Sequence, residues 1–285
     1  LVNVGNLSLL GAAGLWRTPL SSLPLPAVGY FLATGVFGYV LSRMMLYVGF
    51  SRLGVSRAIA LHGVTPIFST ILAVLMLAEQ GHFVLDDPVA EYLPEFAEAQ
   101  VYNGGEVEDI RLVERDGDIT IRHLLTHTSG ICLGAGGGEP VEALWTEAIG
   151  EMMNSPGVTL QSAVRTLATL PLASQPGMAW RYGLSFEALA ALVEVVSGEW
   201  FDQFLRRRIF EPLGMVDSGY LVSPENAGRL SALYARRDDG ELKLVEAPAD
   251  SPHVQMHGYE SGTGWTTGGD MLVSTASDYG RFLQM

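Results

Sequence analysis

Leu77-Ala78-Glu79-Gln80-Gly81-His82-Phe83-Val84-Leu85-Asp86-Asp87-Pro88 is where the chain changes character. Glu79 is the first acid. Before it, residues 1–78 carry only Arg17, Arg43, Arg52 and Arg57, a formal charge of +4. After it, 31 acids face 13 bases, giving −18 for that part and −14 for the chain. A carboxylate inside hydrocarbon costs several kcal/mol, about 3 kcal/mol for Asp at a helix centre on the mildest scale. An acid-free apolar stretch against an acidic one therefore reads as two pieces built for different solvents. Gly81 is a helix stop, and Asp86-Asp87-Pro88 a turn.

Backward from this junction, Val28 to Phe50 is apolar except for Ser42 and Arg43, and Ala58 to Ala78 lacks Asp, Glu, Lys and Arg. Each is long enough to cross a hydrocarbon core of about 30 Å. Buried core helices are the alternative, although acids normally mark the outer faces of such helices. Arg52 and Arg57 in the connecting loop place that loop in the cytoplasm and everything after Glu79 outside, on the periplasmic side. Arg43 within a span needs a bundle interior or snorkelling, and Pro66 implies a kink. The segments Gly38-Tyr39-Val40-Leu41, Tyr47 to Ala58 and Thr65-Pro66-Ile67-Phe68-Ser69-Thr70-Ile71-Leu72-Ala73 resemble the drug/metabolite transporter (EamA-type) family over residues 28–78.

Forward from the junction come Val89-Ala90-Glu91-Tyr92-Leu93-Pro94-Glu95-Phe96 and then Ile119-Thr120-Ile121-Arg122-His123-Leu124-Leu125-Thr126-His127-Thr128-Ser129-Gly130. With Pro176-Gly177, Trp180-Arg181-Tyr182-Gly183-Leu184-Ser185, Val193 to Gly198, Ile209 to Met215 and Leu272 to Tyr279, residues 77–285 resemble the serine β-lactamase-related family. That family includes β-lactamase-like esterases and penicillin-binding-protein relatives. Local patterns agree. Phe201, Phe204, Leu205 and Ile209 recur at helical spacing before Pro212, and Ala188 to Val196 is an apolar helix closed by Gly198. Thr275 and Asp278 have capping-box spacing, and Glu241 to Val245 reads as a short strand after the turn Asp238-Asp239-Gly240.

The resemblance implies a serine three residues before a lysine, S-x-x-K, on the helix that ends at Gly81. That spacing stacks the amine one turn from the hydroxyl, where it can take the proton. Counting back from Gly81 puts the pair at Val64 and Ile67. Lys243 is the only lysine in the chain, Gly240 stands three residues before it, and no S-x-x-K occurs. The nucleophile is not found. Tyr182 occupies the family's tyrosine position and is the candidate general base. A phenol with a pKa near 10 needs a neighbouring cation for that role. The third motif, a K-T-G or H-x-G strand, is expected beyond Met285; Gly262-Thr263-Gly264 and Gly268-Gly269 look like loop. His123 and His127 are four apart, but Leu124 stands where a metalloprotease glutamate would, and the family string accounts for both. Gly134 to Gly138 lacks phosphate-loop spacing.

The expected fold class is mainly α. Two transmembrane-type helices (residues 1–78) precede the helical subdomain of a β-lactamase-like α/β fold (residues 79–285), with most of the sheet missing and both chain ends those of a fragment. The expected function is that of a serine hydrolase relative acting on esters, amides or β-lactams, itself inactive. A transporter fragment joined to foreign sequence and a membrane-tethered, non-catalytic binding module are the alternatives. The expected partners are such a small molecule and a lipid bilayer through residues 28–78. No cofactor or metal is called for, and an acidic chain without a basic tract offers nothing to nucleic acid.

Overall fold

Helix α1 (Thr65–Glu79) ends at the junction on a Schellman turn. Gly81 takes a left-handed φ of +81°, its N–H donates to the Ala78 carbonyl at 2.9 Å, and the His82 N–H donates to Leu77 at 3.2 Å. The computed structural model describes residues 65–134, 138–155, 157–236, 240–246, 267–269 and 271–285, and residues 63–282 form one compact unit. The first apolar segment, Val28 to Phe50, lies outside the described residues, as do Arg43 and the Arg52–Arg57 loop.

The described part of the second segment belongs to a protein core: its helix, Thr65–Glu79, has 15 residues, about 22 Å at 1.5 Å each, short of the hydrocarbon core. Among the described residues, no helix is long and apolar enough to cross a membrane. Ala73, Val74 and Leu77 are instead buried in the protein core, as are Ser69 and Thr70. The missing acids on the apolar faces are explained by protein burial. The expected fold class of two transmembrane-type helices ahead of a helical subdomain is therefore corrected, and so is a bilayer partner for α1.

Helix α5 (Ser185–Ser197) is the hub. Ala188 through Val193 are each at most 1 % exposed, the signature of a helix apolar on every side because neighbours cover every side. It packs on α1, on α2 (Ile121–Leu125), on α4 (Leu160–Ala168) and on α6 (Phe201–Leu205). Helix α4 buries Leu160, Ala163, Val164, Leu167 and Ala168, spaced by 3.6-residue periodicity, and starts on a reciprocal cap between Thr159 and Ser162. Gly198 closes α5 with φ +70°. Helix α3 (Pro140–Asn154) covers α4, with Trp145 fully buried and its indole N–H donating to the Pro171 carbonyl at 2.9 Å.

After α6 the helix widens into a π-turn, Arg206–Phe210, where the Glu211 N–H reaches five residues back to Arg206 at 2.8 Å. Phe201, Phe204, Leu205 and Ile209 all face the core, as their spacing requires. Arg206 binds Glu211, Arg207 binds Glu199, and Arg208 lies over the Phe204 ring at 5.9 Å with its Nε buried and unpaired.

Two small antiparallel sheets complete the described architecture. β1 (Val101–Tyr102) pairs with β2 (Leu112–Val113) in the register Val101↔Val113 and Tyr102↔Leu112. β3 (Leu233–Arg236) pairs with β4 (Leu242–Glu246), which contains most of the stretch read as a strand. Asp238 and Asp239 lie outside the described residues. Helix α7 (Ala276–Phe282) keeps half of its expected capping box: the Asp278 N–H donates to Thr275 Oγ1 at 3.2 Å. The fully buried Asp278 carboxylate instead accepts from the Asp217 N–H, Ser218 Oγ and Arg281.

Candidate acyl-transfer site

Two loops run side by side into the N-terminus of α5. The first, 126–132, follows α2, whose start is built by Thr120 and His123. The Thr120 hydroxyl accepts the His123 N–H, and His123 Nδ1 accepts the Thr120 N–H, each at 3.2 Å. That imidazole is therefore a helix cap. His127 lies past the end of α2 with φ +54°, so the two histidines do not share a helical face.

The second loop, 177–184, is fastened along the first. The Gly177 N–H donates to Thr128 at 2.7 Å, the Arg181 N–H donates to His127 at 2.8 Å, and the buried hydroxyls of Ser129 and Ser185 meet at 3.0 Å. Gly183 closes the approach, since a Cβ there would sit 2.4 Å from the Ile131 carbonyl oxygen and only glycine fits. Arg181 leans the other way and binds Glu139 and Glu142 at the start of α3, both at 2.9 Å.

This scaffold presents Tyr182, which is 48 % exposed. Its ring lies 5.1 Å from that of His127, which also touches Phe186 at 5.0 Å and Trp180 at 6.3 Å. Burial lowers the His127 pKa from its ordinary value, so the ring beside Tyr182 is neutral near pH 7. Its Nδ1 is buried without a partner, and a left-handed backbone on a non-glycine residue adds strain. Burial also pushes the Cys132 thiol up to about 12, which keeps it inert.

Among the described residues, helix α1 carries no serine–lysine pair. Ile67 stands half-buried on α1, and Val64 lies outside the described residues. Thr70 Oγ1 donates to the Gly268 carbonyl at 2.6 Å. Gly268 and Gly269 form a loop lying against the start of α5, as the sequence suggested; Gly262 to Gly264 and residues 135–137 are outside the described residues. Lys243 sits on β4. Two clefts of about 630 and 270 Å³ lie elsewhere, around Phe210, Met215 and Tyr220 and around Asp217, Asn226 and Arg229. The pairings of His127 with Tyr182 and of Glu142 with Arg181 went unread in the sequence, because nothing in the local spacing joins residues 55 or 39 positions apart.

Known proteins place this architecture. The Beta-lactamase family model matches residues 67–285, and the EamA-like transporter family model matches residues 4–84. Of the latter match, residues 65–84 are described, and among them Ser69, Thr70, Ala73, Val74, Leu77 and Phe83 are buried in the unit above. Esterase EstB of Burkholderia gladioli is 35% identical over 225 residues, 75% of this chain and 53% of that protein. The ML-236A carboxylate methylbutanoyltransferase of Penicillium citrinum is 29% identical over 198 residues, 68% of this chain and 45% of the other. Unliganded simvastatin synthase from Aspergillus terreus superposes with a TM-score of 0.58 at 28% sequence identity, over 76% of this chain and 50% of that one. The chain thus spans about half the length of these relatives, and its structural neighbours have the β-lactamase-like α/β fold in place of the mainly α class expected. From Ile67 onward, the chain belongs to the beta-lactamase family, among esterase and acyltransferase homologues.

Proposed function

We propose that this chain is a catalytically silent member of the family, one that keeps the tyrosine wall of an acyl-transfer site and has lost the nucleophile. The relatives are named as an esterase and a methylbutanoyltransferase, so the compounds that the site accommodates are small esters, with amides and β-lactams in the same reaction class. Acyl transfer of this kind begins when a lysine takes the proton of a serine one helical turn away.

One observation carries the reading: α1 has the place and the C-terminal stop of the nucleophile helix, without its couple. The expected positions are Val64 and Ile67. The Ser69 and Thr70 side chains are fully buried, with the Thr70 hydroxyl given to Gly268. Tyr182 would be the general base of such a site, beside an imidazole that burial holds neutral, while Lys243 belongs to β4.

The test is incubation of the full 285-residue chain with a fluorophosphonate probe, short p-nitrophenyl esters and a chromogenic β-lactam, read by intact mass and absorbance. The expected result is an unmodified mass and turnover no higher than that of Tyr182→Phe. A stoichiometric adduct on any side chain overturns the proposal.

A further inference from the structure

Of the five asparagines in the chain, only Asn103 is followed by glycine. It stands exposed just after β1, where the chain begins its return to β2. The ladder carries a bulge there. The Asn103 N–H donates to the Arg111 carbonyl at 2.8 Å, and the Arg111 N–H donates to the Gly104 carbonyl at 2.9 Å. Two residues on the β1 side thus face one on the β2 side. This pattern engages the Asn103 N–H and the Gly104 carbonyl. The amide between them, the Gly104 N–H, has no hydrogen-bond partner among the described residues.

Packing imposes the glycine. Its φ is +92°, and a Cβ there would stand 2.9 Å from an Arg111 guanidinium nitrogen. The fold therefore demands, directly after an exposed carboxamide, the residue whose nitrogen no β-carbon crowds. Asn226 supplies the contrast. Alanine follows it, its Nδ2 donates to Ser223 Oγ at 3.1 Å, and its Oδ1 accepts from Arg229 at 3.5 Å.

We propose that Asn103 is a site of spontaneous deamidation in the folded chain, and that the β1–β2 hairpin opens as it ages. The Gly104 nitrogen forms a bond to Asn103 Cγ and gives its proton to water. The Cγ–Nδ2 bond breaks, and Nδ2 takes up a proton and leaves as ammonia. Water then opens the cyclic imide at either carbonyl, giving aspartate or isoaspartate at 103. Isoaspartate routes the main chain through the side-chain carbon, adding about 1.5 Å of path between the Asn103 N–H and the Gly104 carbonyl. Those two groups can then no longer both reach Arg111.

The experiment holds the full chain folded at mildly alkaline pH and body temperature, samples it over days, and cuts it after Glu98 and Glu106. The peptide Ala99–Glu106 should gain the mass of an amide-to-acid exchange and accept a methyl label from a protein-isoaspartate methyltransferase. The peptide containing Asn226 should keep its mass. Asn103→Gln, whose longer side chain closes a less favoured ring, should stay unmodified over the same period. Trypsin should cut after Arg111 faster in the aged fraction, separated by its added negative charge, than in the fresh chain. Freshly made Asn103→Asp carries that charge on an ordinary backbone and should be cut as slowly as the fresh chain. An Ala99–Glu106 peptide that keeps its mass in the folded chain overturns the proposal, whether or not urea-unfolded chain is converted. So does conversion of Asn226 at an equal rate. Equal cleavage of the aged fraction and fresh Asn103→Asp overturns the opening of the hairpin.

Discussion

Helix α1 and the Tyr182 loop are both expected walls of one site, and they have kept opposite things. The helix retains the shape and burial of its position: it stops on Gly81 and buries Ala73, Val74 and Leu77, but supplies no serine–lysine pair. The loop retains the side chain: it is fastened at Thr128, His127 and Ile131 and presents Tyr182 to solvent. Packing asks only for apolar volume at the right period, which many sequences provide. Chemistry asks for particular atoms in particular places, and a single change removes it.

Three measurements would break or sharpen this contrast. The largest effect belongs to the helix. Leu77→Ala should cost about 2–5 kcal/mol in urea unfolding, the usual loss for a buried leucine. A cost near zero would mean that α1 is not part of the core. Next comes the loop. Gly183→Ala should cost about 1–3 kcal/mol and disturb the near-ultraviolet dichroism of Trp180 and Tyr182, because its Cβ has no room beside Ile131. Unchanged dichroism would show that the two loops are not locked together. The smallest effect is acid sensitivity at His127. Burial depresses this pKa in the folded state, so the unfolded chain binds the extra proton first. Stability should fall as pH drops below the ordinary histidine value and level off below the depressed one. His127→Asn, which tolerates the left-handed backbone, should flatten that slope. An identical slope in both proteins would place the titration elsewhere.

Much of the rear unit was legible because its signals are local. Gly198 closing α5, the Phe201-to-Ile209 spacing, the Asp86-Asp87-Pro88 turn and the Thr275 cap each lie within a few residues of what they govern. The turn itself shows the Val84 N–H donating to Asp87 Oδ2 at 2.8 Å. Helix α1 was misread since an acid-free apolar run looks the same whether lipid or protein covers it. Only the packing of Ala73, Val74 and Leu77 into the protein core tells the two apart. β1 and β2 are two residues each, below any periodicity, and β3 was not singled out although its partner was. The bonds that shape the site, Arg181 to Glu142 and Ser129 to Ser185, join residues far apart and exist only once the fold has brought them together.

The hydroxyl of Thr70 meets the Gly268 carbonyl across 198 positions of sequence, and Tyr220 holds the neighbouring Thr267 carbonyl at 2.7 Å. During synthesis, α1 leaves the ribosome long before the residues that complete its surroundings. At about 5–20 residues per second, its greasy face waits roughly ten seconds or more for Gly268 to emerge. Until that closure, the apolar face of α1 stays exposed in the nascent chain, the condition under which growing chains aggregate.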